Sequence, residues 1–234
     1  MSQPDAYRFH YFPGPEAANV EGVVEGISYV FSHSFGTNPR NNEPYRLGPR
    51  TTKERLLSTS HVFVAQDTKN NFTGYLYARE IRAQNGTVGW IDSLAVLPDH
   101  RRRGIATRLV TQFLAVVSDD PWIGCATPNP IAALVIIRAV GGVPYLGECH
   151  PPQAIISIIE QIRPHCPDLR GADFNPSRLL VKTRFTPVRS EDTRDWRPPH
   201  PSEPPPWWAS LRNLPQEHEA LLIIDRKQNS HRNP

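Results

Sequence analysis

The sequence has no long apolar run, no basic leader and no cysteine pair of the CxxC type. None of its apolar stretches approaches the ~20 residues that a membrane helix needs, so no membrane segment is expected. Residues 1–5 show no basic region followed by an apolar run, and no secretory signal is predicted. The three cysteines, Cys125, Cys149 and Cys166, are widely spaced. This spacing is typical of reduced thiols, and we expect a cytoplasmic location.

The sequence also has little excess of one charge sign over the other. Lysine and arginine number 26 and aspartate and glutamate 23, giving a formal net charge of +3 over 234 residues. Proteins that coat nucleic acid normally have a more lopsided charge, so a globular protein without nucleic-acid or membrane partners is expected. The length suits one buried domain with extensions, and we expect a monomer or homodimer.

Apolar periodicity predicts an α/β chain. The predicted strands cover residues 7–12, 61–66, 72–81, 87–97, 122–126, 179–185 and 219–225. The predicted helices cover residues 16–35, 51–57, 104–117, 131–140 and 154–162. This order indicates a sheet with an antiparallel start followed by a parallel crossover.

The C-terminal part differs in composition from the rest. Seven prolines between residues 187 and 206 predict an extended arm or linker, because proline cannot pair in a sheet. A main-sheet edge is a candidate place for the strand at 219–225, with Trp207 and Trp208 packing the arm down. We therefore divide the chain into a domain over residues 1–186, the arm over 187–206 and an extension over 207–234.

A basic turn joins the strand at 87–97 to the following helix. The turn reads Arg101-Arg102-Arg103-Gly104-Ile105-Ala106. The first N–H groups of a helix have no intrahelical acceptor, and the helix dipole favours negative charge there. Gly104 lacks the Cβ that would hold a ligand away from the backbone. A phosphate or pyrophosphate fits this arrangement, and the arginines raise the local positive potential.

The motif Arg101-x-x-Gly104-x-Ala106 resembles the Q/R-x-x-G-x-G/A signature of the GNAT superfamily of N-acetyltransferases. The resemblance covers residues 6–185 and is close over 87–142. It implies a GNAT-like mixed, mostly antiparallel central sheet, flanked by helices and splayed between the fourth and fifth strands. It also implies acetyl-CoA as cofactor and transfer of the acetyl group to an amine of a small molecule or peptide.

The resemblance further implies a set of residues that hold the cofactor through backbone and side-chain groups. They are Leu94, Ala95, Val96, Arg101, Arg102, Arg103, Gly104, Ile105, Ala106, Thr107 and Asn129. Asn129-Pro130-x-Ala132 is similar to the family's N-x-x-A helix start. The family often has a tyrosine seven residues after that asparagine, as general acid, and Ile136 stands there instead.

Asp92 and Tyr77 are the candidate catalytic residues, because transfer from an amine needs a base and the leaving sulfur needs a proton. Asp92 is predicted to share a strand face with Leu94 and Val96. Its alternative role is a structural carboxylate, and the alternative for Tyr77 is core or pocket wall. No spacing of cysteine and histidine predicts a metal site.

Two other functions stay open at this stage. The missing tyrosine permits a GNAT-fold protein that binds CoA but has a regulatory role or a non-acetyl-transfer activity, since fold does not fix function. Nucleic-acid binding through the arginines predicts a steep salt dependence, but leaves Gly104 and the helix behind it unexplained.

Overall fold

The computed structural model describes residues 6–38, 41–84, 86–147, 150–183, 185 and 204–226. The chain divides into two compact units, of which the first holds residues 1–79 and 91–118 and the second residues 80–90 and 119–234. Within the described ranges no helix is both long and apolar enough to cross a bilayer. Cys149 and most of the predicted proline-rich arm lie outside the described residues.

The described strands follow the predicted order with some additions. They are β1 (Tyr7–Pro13), β2 (Thr37–Asn38), β3 (Glu43–Pro44), β4 (His61–Asp67), β5 (Phe72–Ala83), β6 (Gly86–Val96), β7 (Trp122–Thr127), β8 (Asp173–Asn175), β9 (Leu180–Lys182) and β10 (His218–Asp225). The α-helices are α1 (Gly14–Ala17), α2 (Val23–Ser34), α3 (Pro49–Leu57), α4 (Ile105–Val116), α5 (Pro130–Val140), α6 (Gln153–Ile162) and α7 (Pro206–Arg212).

In the first unit the strands lie in the order β1–β4–β5–β6. The predicted hairpin is confirmed: β4 and β5 run antiparallel, with Val62 opposite Tyr77. Asp67 closes the turn, because its carboxylate accepts hydrogen bonds from the backbone N–H groups of Lys69 and Asn71 at 2.8 and 2.9 Å. Aspartate commonly forms such turns with its own backbone two residues on.

Helices cover both faces of this part of the sheet. Val62 and Val64 pack with α1 and α2 in one apolar cluster, whereas Phe63 meets Phe113 of α4 with ring centroids 6.3 Å apart. Successive strand residues point to opposite faces, so α1 and α2 cover one face and α4 the other. The predicted mixed, mostly antiparallel sheet flanked by helices is confirmed, while the splay between its fourth and fifth strands stays a prediction.

The single helix predicted over residues 16–35 is wrong. The chain forms α1 and α2, separated by a turn that contains Asn19 and Gly22. Gly22 has φ +76°, a left-handed conformation that interrupts a helix and suits glycine. The Asn19 side chain donates to the Pro15 carbonyl at 3.0 Å and closes α1. Apolar spacing continues across this turn, which is why periodicity alone joined the two helices.

In the second unit the order is β7–β10–β9–β8. The C-terminal strand is therefore an interior strand, and its predicted place at a sheet edge is wrong. Ala220–Ile224 are all fully buried, as expected of a strand covered on both faces. Trp207 and Trp208 are 4% and 2% exposed, so both side chains are buried; that they pack the arm down stays a prediction. The predicted strand at 179–185 is shorter, and β8 and α7 were not predicted.

Candidate functional site

The basic turn departs from regular backbone at two residues. β6 ends at Val96, and a single 3-10 turn over Pro98–His100 follows. Arg102 and Gly104 have φ +61° and +77°, so both adopt the left-handed conformation. Gly104 is the N-cap of α4 and its carbonyl accepts the first helical hydrogen bond, from the Arg108 N–H at 3.0 Å. The turn thus reverses the chain within a few residues and begins the helix at Ile105.

The start of α4 has the properties of an anion site. No side chain caps it, so its first N–H groups lack an intrahelical acceptor. A Cβ built on Gly104 meets nothing within 4 Å, and Gly104 and Thr107 are exposed. The surface above these N–H groups is therefore open for a phosphate group. This geometry fits the pyrophosphate of coenzyme A.

Apolar packing fixes the direction of α4. Ile105, Leu109, Val110 and Phe113 are buried on one face. The small Ala106 is half-buried beside the turn. Because this face is anchored in the core, the N-terminus of α4 cannot turn away from the end of β6.

The three arginines of the turn have different surroundings. Arg101 donates to the carbonyls of Val96 at 3.2 Å and Ser34 at 3.0 Å, which ties the turn to the ends of β6 and α2. Arg103 donates to the Tyr7 hydroxyl at 3.2 Å. Arg102 is exposed and has no hydrogen bond or ion pair with the part of the chain that the structure describes. All three arginines are therefore exposed, and two of them also hold the turn through hydrogen bonds.

The candidate base Asp92 is held by an arginine that sequence reasoning missed. Arg79 Nε lies 2.6 Å from Asp92 Oδ2, and the two side chains are 10% and 7% exposed. A buried carboxylate needs such a partner, because charge in the interior is costly. The contact supports the structural alternative for Asp92 as well as the catalytic one. The signal available in the sequence was the position of Arg79, two residues beyond Tyr77 on an alternating strand.

The predicted face of Asp92 is corrected by its contacts. Tyr75 bonds Ser93 at 2.8 Å, while Arg79, on the same face of β5 by alternation, bonds Asp92. Consecutive residues of a regular strand point to opposite faces. Alternation is therefore interrupted between Asp92 and Ser93, whereas Val96 lies toward Ile105 and α4. Leu94 and Val96 are half-buried and Ala95 is buried.

Tyr77 is buried beside a second tyrosine. Its ring stacks on Tyr75 with centroids 5.5 Å apart and an interplanar angle of 7°. Its hydroxyl accepts a hydrogen bond from Arg55 Nη1 at 3.2 Å. The site thus has two aromatic hydroxyls, each with a polar partner, on the face covered by α1 and α2.

Asn129 lies in the second unit, where it caps α5. Its Oδ1 accepts hydrogen bonds from the N–H groups of Ile131 at 2.9 Å and Ala132 at 3.3 Å. This is the ordinary role of an N-cap asparagine. Ile136, at the position of the family's tyrosine, is 2% exposed. The second unit therefore supplies no tyrosine at that position.

Three titratable groups of the second unit have shifted pKa values. Burial raises the pKa of Cys125, which agrees with a buried apolar filler rather than a nucleophile. Burial, with Glu80 acting in the same direction, raises the pKa of Asp120 to about 6. Burial raises the pKa of Glu219 to about 7. Across the described ranges no group of three or more histidine, cysteine, aspartate or glutamate residues is arranged to hold a metal ion.

Comparison with protein families gives one match relevant to this site. Residues 29–133 match the model of the acetyltransferase (GNAT) family. The matched range includes β4, β5, β6, the basic turn, α4 and β7. Over 56 residues the chain is 39% identical to the N-terminal acetyltransferase A complex catalytic subunit NAA10 of Arabidopsis thaliana. These 56 residues make up 24% of this chain and 29% of that protein.

Similar solved structures include three acetyltransferases. The GNAT family N-acetyltransferase YhbS of Escherichia coli, in complex with CoA, is 15% identical, with 58% of this chain and 71% of that chain covered and a TM-score of 0.42. The NatC complex bound to Gag peptide and CoA is 18% identical, with 58% and 86% covered and a TM-score of 0.44. A putative acetyltransferase from Pyrococcus horikoshii is 13% identical, with 62% and 46% covered and a TM-score of 0.43.

Proposed function

We propose that the chain, whose residues 29–133 match the model of the acetyltransferase (GNAT) family, is an N-acetyltransferase that uses acetyl-CoA and acts on an amine. The observation that carries the proposal is the start of α4, where a left-handed Gly104 leaves uncapped N–H groups open to solvent inside the matched range. Helix N-termini of this kind bind phosphate groups.

The residues of the turn have separate tasks in this proposal. The N–H groups of Gly104 to Thr107 hold the pyrophosphate, and Arg102 adds positive charge from the solvent side. Arg101 and Arg103 keep the turn in shape through their contacts with Val96, Ser34 and Tyr7. Main-chain groups of Leu94, Ala95 and Val96 pair with the pantetheine arm. Asn129 lies near the cofactor in the family, and here we propose the same role beside its capping one.

Acetyl-CoA supplies an acyl group already activated as a thioester. The acceptor nitrogen forms the new C–N bond while the C–S bond breaks. Asp92 accepts the proton that the nitrogen loses, and Tyr77 donates a proton to the sulfur; water restores both groups. The protein contributes orientation of the two reactants and proton transfer at fixed positions.

An amine of a peptide or of a small molecule is the proposed acceptor. The local similarity to an N-terminal acetyltransferase subunit makes a peptide with a free α-amino group the first acceptor to test. A groove of about 620 Å³ is a candidate acceptor site in the first unit. It is lined by the turn between α1 and α2, by α2 and by α3, with the charged residues Glu21, Glu25, Arg50 and Lys53.

One observation favours a second function. Ile136 is buried where the family often has its acid, so we retain a GNAT-fold protein that binds CoA but acts as a regulator or catalyses another reaction. Under this alternative Tyr77 is a wall of the core, and Asp92 is a structural partner of Arg79.

Calorimetric titration with acetyl-CoA, followed by measurement of free thiol with an amine panel, separates these functions. The panel contains a peptide with a free α-amine, an α-blocked lysine peptide and a polyamine. Binding with thiol release supports the acetyltransferase. Binding without thiol release on any amine supports the alternative, and absence of binding contradicts both.

A further inference from the structure

We propose that Arg55 is a positioning residue, which orients the hydroxyl of Tyr77 as the proton donor of the acetyl transfer. This inference rests on the proposed function. It assigns a role to a residue of α3 that lies outside the basic turn and outside β6.

The direction of the hydrogen bond between the two side chains is fixed by chemistry. Arg55 Nη1 lies 3.2 Å from the Tyr77 hydroxyl oxygen. A guanidinium only donates hydrogen bonds, so the tyrosine oxygen is the acceptor. The phenolic proton of Tyr77 therefore points away from Arg55, toward another acceptor. A tyrosine held in this way presents its proton in one direction.

Arg55 reaches Tyr77 from a well-ordered point of the backbone. It lies in the last turn of α3. Its carbonyl accepts hydrogen bonds from the side chains of Ser58 and Thr59, both at 2.9 Å. Its side chain is half-buried. The backbone of Arg55 is thus held in place at the end of α3, within reach of Tyr77.

The ring of Tyr77 is held as firmly as the arginine. It stacks on Tyr75, whose own hydroxyl bonds Ser93 at 2.8 Å. Val62 lies opposite it on β4, and Tyr77 is only 1% exposed. Packing fixes the ring, so the direction of the O–H bond is the main freedom that remains. The hydrogen bond from Arg55 restricts that direction.

The reaction has a need that this arrangement meets. When the C–S bond breaks, the sulfur leaves with an electron pair and takes up one proton. Ile136 offers none at the family's usual position. Tyr77 gives its O–H proton to the sulfur and regains one from water, so protons and charge balance. Burial keeps bulk water from competing for that proton during transfer.

The test uses the full chain, four single variants and two ligands. Tyr77→Phe removes the proton, Arg55→Met removes the donor, and Arg55→Lys keeps a donor. Arg8→Met is the matched control, because Arg8 lies in the same unit, is exposed and donates its hydrogen bond to Asn70 Oδ1 at 3.1 Å, away from the proposed site. Dissociation constants for CoA and for desulfo-CoA, which lacks the sulfur, are measured with kcat and KM on the acceptor that gives thiol release.

We expect Tyr77→Phe and Arg55→Met to lower kcat by about 10-fold or more, with little change in KM, because general acid catalysis contributes about 10²–10⁴-fold. Both are also expected to reduce the preference of the protein for CoA over desulfo-CoA. Arg55→Lys should recover much of both quantities, and Arg8→Met should match the wild type.

Other results overturn the inference in distinguishable ways. If the wild type turns over and Arg55→Met keeps both kcat and the CoA preference, Arg55 does not position Tyr77. If Arg55→Met and Arg55→Lys lose activity equally and unfold at lower temperature, the contact is structural only. A wild type that releases no thiol with any amine contradicts the proposed function, and this inference with it.

Discussion

Replacement of Gly104 by valine is expected to have two separate effects, a loss of stability through backbone strain and a loss of affinity for acetyl-CoA. Gly104 has φ +77°, and a Cβ built on it meets nothing within 4 Å. The substitution therefore causes no clash inside the protein. Its cost to folding comes from the left-handed backbone alone, about 1–3 kcal/mol for a residue other than glycine. For a chain of this size that corresponds to a fall in Tm of about 2–4 °C for each kcal/mol.

The cost to cofactor binding is separate and larger. The valine side chain stands in the open space above the first N–H groups of α4, where the pyrophosphate is proposed to lie. A hydrogen bond to a charged group contributes about 1.5–3 kcal/mol, so loss of two costs about 3 kcal/mol or more. At 1.4 kcal/mol for each factor of ten, acetyl-CoA should bind at least about 100-fold more weakly.

Gly171 provides the matched control. It has φ +70°, and its Cβ also meets nothing within 4 Å, so Gly171→Val carries the same kind of strain. Thermal unfolding should show similar falls for the two variants, while calorimetric titration should show weak acetyl-CoA binding for Gly104→Val alone. Equal acetyl-CoA affinity in the two variants would refute the assignment of the pyrophosphate to this turn.

Three further predictions follow from the contacts of charged residues. Arg102→Gln should weaken acetyl-CoA binding and leave unfolding unchanged, whereas Arg101→Gln should also lower Tm, because Arg101 holds the turn through hydrogen bonds and Arg102 does not. Calorimetry measures the binding and thermal unfolding the stability; an equal Tm for the two variants contradicts this difference. Arg79→Met should lower the free energy of unfolding in denaturant by about 3–5 kcal/mol, since it leaves Asp92 buried without its cation. The double variant Arg79→Met/Asp92→Leu should regain much of that stability; no gain argues against a buried ion pair. Burial raises the pKa of Asp120 from 3.8 to about 6, so the folded state binds the proton more tightly and wild-type stability falls as pH rises from about 4 past 6. Asp120→Asn should remove about 1–3 kcal/mol of that fall, measured by unfolding at about pH 4.5 and 7.5; an unchanged pH slope contradicts it.

The sequence predicts a helix or strand well where its residues follow a single periodicity of apolar side chains. The hairpin of β4 and β5 was predictable because alternating strands flank a turn that Asp67 closes with its own side chain. The helix α4 was predictable because its apolar residues recur on one face. The break between α1 and α2 was not, since it depends on the backbone conformation of Gly22 rather than on the apolar spacing.

The sequence says less about which strands pair with each other and which side chains of different elements meet. The residues of β10 predict a strand, but its interior position depends on pairing with β7 and β9, which are distant in the chain. In the candidate site, Asp92 and Tyr77 were found from their strands. Their partners Arg79 and Arg55 were not found. The contact of Arg79 with Asp92 requires an interruption of alternation in β6, and the contact of Arg55 with Tyr77 joins a helix to a strand.

The arginines of the turn show how a motif combines shape with charge. Arg101 donates hydrogen bonds to the carbonyls of Val96 and Ser34, and Arg103 donates one to the Tyr7 hydroxyl. The run of three arginines predicts three ligand contacts, yet the hydrogen bonds of Arg101 and Arg103 hold a left-handed turn in place. In the proposed function, the N–H groups at the start of α4 recognise the anion, because the helix fixes their direction, and Arg102 adds attraction for it.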